Sequence, residues 1–310
     1  MMGYTGSVFI SIDEAGTDYQ IIPVTGSSSS RNRRAIASAA GYGGKQNVTD
    51  AEAAVGVPRA YDWPEYSLSC DFDPTKQTIK FLFDWIADRT ASRKVRLYPR
   101  NGSQQYYDEC YLQSISLSAS QGGNVSASLT LLPTSRDEDV STNWIVGQDY
   151  IGYRNGSFTA TDMDDLLAET WNPKNSRGPI PYWATSIDLG SEVEVTNWSW
   201  DFNNSAELRF FCKGNNNDMQ PPVYVAIGPA DCNLALTMVL NPGVASTYTV
   251  PSQITDQKLL IVTDTSSNEY SITMDTLDLD SDDDPVRGGG DITTFDLKYY
   301  VRGQLTFTAT

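Results

Sequence analysis

Four stretches of the chain alternate apolar with small or polar residues at period two: Val8–Ile12, Tyr111–Leu117, Val125–Leu131 and Leu234–Met238. That period predicts strands with one face buried. Between the second and third stretches, Ser120-Gln121-Gly122-Gly123-Asn124 has the turn chemistry that joins antiparallel strands into a hairpin. A second hairpin is expected at the C-terminus, from Phe295–Tyr299 through a turn at Arg302-Gly303 to Leu305–Phe307. One segment has helical spacing. Asp73 would cap it, Pro74 would take the first helical position, and Ile79, Leu82, Phe83 and Ile86 would form a stripe lying on a sheet.

Residues 25–60 break this pattern. They hold Gly-Ser-Ser-Ser-Ser, then Arg31, Arg33 and Arg34, then an Ala/Gly-rich stretch with little periodicity. They read as a long loop or arm, either a floppy insertion or an arm that orders on a neighbouring subunit.

Short matches recur about 130 residues apart. Asp71-Phe72-Asp73 returns as Asp201-Phe202-Asn203, Ile79–Phe83 as Leu208–Cys212, and Val95–Pro99 as Val225–Pro229. Further on, Tyr111–Ile115 is best matched by Tyr270–Met274, which implies an insertion in the second copy. The sequence therefore predicts a duplicated unit of strand, helix and strand. The expected division is a first domain at 1–135, a connector at 136–178 and a second domain at 179–310.

The 310 residues carry 39 acidic and 22 basic side chains, a formal charge of -17, and no histidine. Without imidazole there is no histidine general base, no Ser-His-Asp or Cys-His nucleophile and no histidine metal ligand. The acidic excess argues against gripping nucleic-acid phosphates, which needs clustered Lys and Arg. Cys70, Cys110, Cys212 and Cys232 form no C-x-x-C pair and read as buried reduced thiols. No apolar run reaches 18 residues and no leader opens the chain, so no membrane association and a soluble, cytoplasmically made protein are expected.

Six acids lie between Asp275 and Asp284, but Asp283 stands where a calcium loop needs glycine and Gly289 where it needs glutamate. A solvated acidic loop is the stronger reading, and no metal or cofactor is expected. Paired carboxylates for glycan hydrolysis are not singled out among so many acids. The basic cluster Arg31, Arg33 and Arg34 suits an acidic surface on another copy of the same chain.

Alternating strands, an amphipathic helix, a long arm, a tandem repeat and strong acidity together resemble the major tail tube proteins of long-tailed bacteriophages. The residues bearing the resemblance are 71–83 and 201–212, and the late strands at 111–131 and 270–301. The resemblance implies a mainly β fold: two tandem β-sandwich or barrel domains, each with a flanking α-helix and a long loop or arm. It implies no enzyme but a structural virion protein, made in the host cytoplasm and self-assembling as homotrimers into pseudo-hexameric rings. Stacked rings would form a tube that meets other phage tail proteins and passes viral DNA without specific binding.

Under this resemblance Gln113, Ser116, Asn124, Ser126, Ser128, Asp278, Asp280 and Asp296 are the expected lumen-facing residues. Arg31, Arg33 and Arg34 would belong to an inter-ring arm. The competing reading is a glycan-binding β-sandwich of a virion or cell surface, with some of the seven tryptophans as stacking platforms.

Overall fold

The alternation at Tyr111–Leu131 forms the hairpin it predicts, its strands joined through Gly122 at φ +83°. A computed structural model describes residues 8–13, 19–32, 35–37, 58–61, 65–98, 105–133, 179–188, 194–209, 224–240, 252–263, 269–282 and 293–309. The first half contains β1 (Val8–Asp13), β2 (Tyr19–Val24), β3 (Gly26–Asn32), β4 (Ala35–Ala37), β5 (Pro58–Tyr61), β6 (Glu65–Phe72), α1 (Lys76–Ala87), β7 (Arg93–Tyr98), β8 (Gln105–Ser120) and β9 (Val125–Pro133). The second contains β10 (Ser186–Asp188), β11 (Glu194–Asn203), β12 (Ala206–Arg209), β13 (Tyr224–Ile227), β14 (Asp231–Leu240), β15 (Gln253–Thr263), β16 (Glu269–Asp282) and β17 (Thr293–Ala309).

The protein is mainly β, built around one large curled antiparallel sheet. Its main path is β10-β15-β16-β17-β14-β11-β8-β7-β1-β2, and β9, β6 and β3 continue from the other edge of β8. β4–β5 and β12–β13 form separate two-stranded sheets. On one edge β8 pairs first with β7, through Cys110, and then with β11, from Ser114 to Ser120. A bulge between Leu112 and Ser114 lies at the change of partner. The sheet curls because β2 pairs with β1 while its continuation past Thr25, β3, pairs with β6.

One contiguous core joins the halves. It takes Ile115 and Leu117 from β8, Trp198, Trp200 and Phe202 from β11, and Leu234, Leu236 and Met238 from β14. The expected helical stripe is buried, and Phe81 and Trp85 are buried beside it. Each such side chain contributes about 1.5–3 kcal/mol on burial. α1 packs against β2, β16 and β17. Its end is fixed by Trp85 Nε1, which donates to the Ala91 carbonyl at 3.0 Å.

Several local expectations are corrected. The helix cap is Thr75, whose Oγ1 accepts from the Thr78 amide at 3.2 Å; Asp73 instead accepts from Ser126 at 3.2 Å. The C-terminal segment is one strand rather than a hairpin. Gly303, at φ +89°, bends β17 opposite a bulge between Met274 and Thr276, so its turn chemistry serves a bulge. The arm is partly strand: β3 lies in the main sheet and β4 pairs with β5, while 38–57 lie outside the described residues. A backbone ladder suffices to hold β3, which is why its Ser run gave no hydrophobic signal. The connector at 136–178 also lies outside the described residues.

The 130-residue repeat is corrected too. It equates part of α1 with Leu208–Cys212, yet Ala206–Arg209 is a strand paired with β13. Pairing order recurs differently: β3-β6-β9-β8-β7 in the first half matches β11-β14-β17-β16-β15 in the second. A small hairpin interrupts both, β4–β5 between β3 and β6, and β12–β13 between β11 and β14. Residues in equivalent places stand 164 apart: Cys70 and Leu234 (234 − 70) are each linked through one partner, Leu129 or Tyr299, to Ile115 and Leu279 (279 − 115). Likewise Cys110 pairs with Arg93 as Met274 pairs with Gln257.

Candidate functional site

The period-two pattern that buries one face of the sheet assembles a polar surface on the other. Direct cross-strand partners form one unbroken row: Gly26, Asp71, Ser128, Ser116, Asp201, Asn233, Tyr300, Asp278 and Gln253. Eight inter-strand steps of about 4.8 Å give the row an arc of roughly 38 Å. It crosses the β8–β11 boundary between the two halves without a break. A parallel row runs Ser126, Ser118, Ser199, Ala235, Lys298 and Ser281.

Behind the first row lies its apolar counterpart, Phe72, Ala127, Leu117, Trp200, Leu234 and Tyr299, all buried. A one-residue slip in any strand would exchange the two faces, so burial of the core fixes the polar surface.

The surface is small, neutral and acidic. Asp71, Asp201, Asp231, Asp278, Asp280 and Asp296 lie on it, against Lys298 and Arg302. Both cations are matched, Lys298 Nζ to Asp280 at 3.2 Å and Arg302 Nε to Asp278 at 2.8 Å. Gln253 Nε2 donates to Asp278 at 2.7 Å and Thr237 Oγ1 donates to Asp296. Among the described residues Asp71, Asp201, Asp231 and Asp296 make no ion pair, so the net potential of the face is negative.

Two depressions mark the face. One of about 270 Å³ is lined by Gln113, Ser116, Ser128, Asp201 and Asn233, and one of about 420 Å³ by Ser118, Ser199, Thr237, Asp296 and Lys298. Among the described residues no group of three or more Cys, Asp or Glu side chains is placed to hold a metal ion. Asp278 and Asp280 of the acidic run lie on β16, tied into the cross-strand contacts above, rather than in a calcium loop.

Seven of the eight residues expected to face a lumen lie on this one face, and Asn124 lies at its border. Ser116, Ser128 and Asp278 are in the first row and Ser126 is in the second. Asp296 pairs with Thr237 one step away, Asp280 meets Lys298, and Gln113 lines a depression at the β8 bulge. Asn124 lies at the hairpin turn, its amide 3.5 Å from Asp73.

Arg31 is on β3, while Arg33 and Arg34 lie outside the described residues. Sequence reasoning missed Ser199, Asp201 and Asn203, although the alternation Trp198-Ser199-Trp200-Asp201-Phe202-Asn203 signals a polar face as clearly as β9 does.

Trp85, Trp198 and Trp200 are buried in the core, and Trp183 is exposed. The other tryptophans, Trp63, Trp144 and Trp171, lie outside the described residues. No helix among the described residues is long and apolar enough to cross a membrane. Comparison of the chain with protein-family models and with curated proteins finds no match.

Proposed function

We propose that this chain is a structural subunit of a phage tail tube, in which the polar sheet face lines a bore that DNA traverses. The observation that carries this reading is the nine-residue row of neutral polar and acidic residues, with no cation among them, continuing across both halves of the chain. A wall of that composition offers phosphate no cationic foothold, because its lysine and arginine are already held by carboxylates. DNA moves along it without adhesion.

The recurrent pairing order supports two tandem barrel-like units per chain, with α1, which belongs to the first half in sequence, packed against β16 and β17 of the second as well as β2. Two units per chain make a trimer a ring of six. The role is mechanical rather than enzymatic. The protein would reside in the virion after synthesis in the host cytoplasm, contacting its own copies and other tail proteins.

Electron microscopy of the purified protein over a concentration series, with light-scattering mass on the same samples, tests this. Hollow rings or tubes of three chains per layer are expected. Compact assemblies lacking a bore, or a monomer throughout, would overturn the reading.

A further inference from the structure

We propose that the cleft opened where β17 parts from β14 binds a small organic monocarboxylate with an apolar tail, of the size of a medium-chain fatty acid, and that Arg89 holds its carboxylate. The cleft lies behind the sheet: Phe202 and Val301 in its lining share the buried face with Trp200 and Tyr299, opposite the polar row. It therefore stands apart from the tube reading.

The cleft follows from strand pairing. β14 begins at Asp231 and runs beside β17 only as far as the pair Asn233 and Tyr300. Past that point β17 bends at Gly303, φ +89°, and stays on β16, where Thr306 faces Thr273 and Phe307 faces Ile272. Phe307 is packed on Phe83 of α1, so the end of β17 goes with the helix rather than with β14. A cavity of about 500 Å³ is left between the two strands and the last turn of α1, within the size range of small-molecule sites. Ile86, Phe202, Val301, Leu305 and Phe307 give it an apolar wall.

Arg89 is the one cation in the described lining. It follows Asp88, the residue that caps the C-terminus of α1, and its carbonyl accepts from the buried Asn204 at 3.1 Å, which fixes the backbone that carries the side chain. The guanidinium makes no ion pair and no hydrogen bond among the described residues, and its Nη1 is buried without a partner. A cation is favoured at a helix C-terminus, yet Nη1 bonds none of the terminal carbonyls. A buried donor left unbonded costs free energy that an acceptor recovers, and a carboxylate matches the guanidinium fork best.

The surrounding groups limit the ligand to one negative charge. Asp275 lies against Gly303 in the exposed part of the lining and would repel a phosphate dianion. Cys232, also in the lining, adds no charge, because burial pushes its thiol up to about 12. One guanidinium set in a hydrocarbon wall thus selects a monoanion with an apolar body.

Titration calorimetry of the full chain with sodium octanoate, 1-octanol and octylammonium tests the inference without any substitution. Octanoate should bind one per chain and about tenfold or more tightly than the other two, which share its tail and lack its carboxylate. Arg89→Gln should bring octanoate down to the affinity of octanol and leave octanol unchanged, since the Asn204 contact is to the main chain and survives the change. Lys80→Gln, which removes an exposed cation of α1 outside the cleft, should bind octanoate as the parent does. Ala230→Phe, which fills the cavity, should lose both octanoate and octanol while keeping the parent's far-ultraviolet spectrum. Octylammonium bound as tightly as octanoate, no saturable octanoate binding by the parent, Arg89→Gln binding octanoate like the parent, or a folded Ala230→Phe chain doing so would each overturn the proposal.

Discussion

Phe83 of α1 and Phe307 of β17 lie ring against ring, 5.1 Å between centroids and tilted by 47°. Phe307 also meets Trp200 edge-on at 6.2 Å. The helix of the first half is thereby fastened directly to the last strand of the chain and, through Phe307, to β11. Phe83 is buried, and Phe83→Ala should cost about 3–5 kcal/mol. Because the core is continuous, urea unfolding followed by both tryptophan fluorescence and circular dichroism should remain a single transition at lower midpoint. Two separated transitions would show that the halves keep independent cores.

Gly303 holds β17 in a conformation no other residue type adopts comfortably. Its φ is +89°, and a Cβ placed there would sit 2.1 Å from Asp275 Oδ2 and 2.9 Å from Asp275 Cβ. Gly303→Ala should destabilise the fold by about 1–3 kcal/mol, combining backbone strain with a forced shift of β16. Adding Asp275→Gly to it should recover the steric part and leave the strain. A melting temperature equal to the parent's for Gly303→Ala would contradict the bulge geometry.

Much of the sheet was legible in the residues, and the failures have identifiable causes. The β8–β9 hairpin was readable because alternation and a Gly-Gly turn agree locally. The helix was readable from its stripe, although its cap was misplaced: Asp73 and Thr75 are both competent N-caps, and tertiary bonds from Ser126 and Asn124 engage Asp73. The polar face was half visible. Period two marks a polar face on β8, β9, β11 and β14 one by one, but the order that joins them to β17 in one surface depends on long-range partners that no local pattern encodes. The repeat went astray for the same reason, since equivalence here is a matter of strand order rather than side-chain identity. Asn204 shows the limit most sharply. It is fully buried and donates to the carbonyls of Arg89 and Leu112 at 3.1 and 2.9 Å, joining the halves from within a segment that reads as an ordinary polar turn.

The buried thiols give the fold a pH dependence. Burial, reinforced by the nearby Asp71 charge, pushes Cys70 up to about 12, and burial also pushes Cys232 up to about 12. Unfolded, both would ionise near the ordinary thiol value of about 8.5. Between those values the native state retains protons that the unfolded chain has lost, so the thiols' contribution to stability should be constant below about pH 8 and fall as pH rises further. Urea midpoints measured from pH 7 to 10 should show that decline, and Cys70→Ala with Cys232→Ala should flatten it. Iodoacetamide at pH 8.5 should leave both residues unmodified in the native protein and label them in urea, as peptide mapping would read. Labelling of Cys70 or Cys232 in the folded chain would contradict their placement in the core.

The strongest consequence of the proposed wall is electrostatic. Ser116 and Ser128 are direct partners at the middle of the polar row, flanked by Asp71 and Asp201. Replacing both with lysine adds two cations per chain on a surface whose own Lys298 and Arg302 are occupied by carboxylates. Small exposed or half-buried serines leave room for the longer side chains, so folding should be little affected. The parent assembly should not retain DNA in a filter-binding or gel-shift assay at 50 mM salt. Ser116→Lys with Ser128→Lys should retain it, and retention should fall steeply between roughly 50 and 200 mM salt because bound phosphates release counterions. Placing the same two cations away from the polar face, at Thr90 and Ser92 beyond α1, controls for net charge alone. If both pairs of substitutions conferred equal retention, net charge would explain the behaviour and the polar row would have no special part in it.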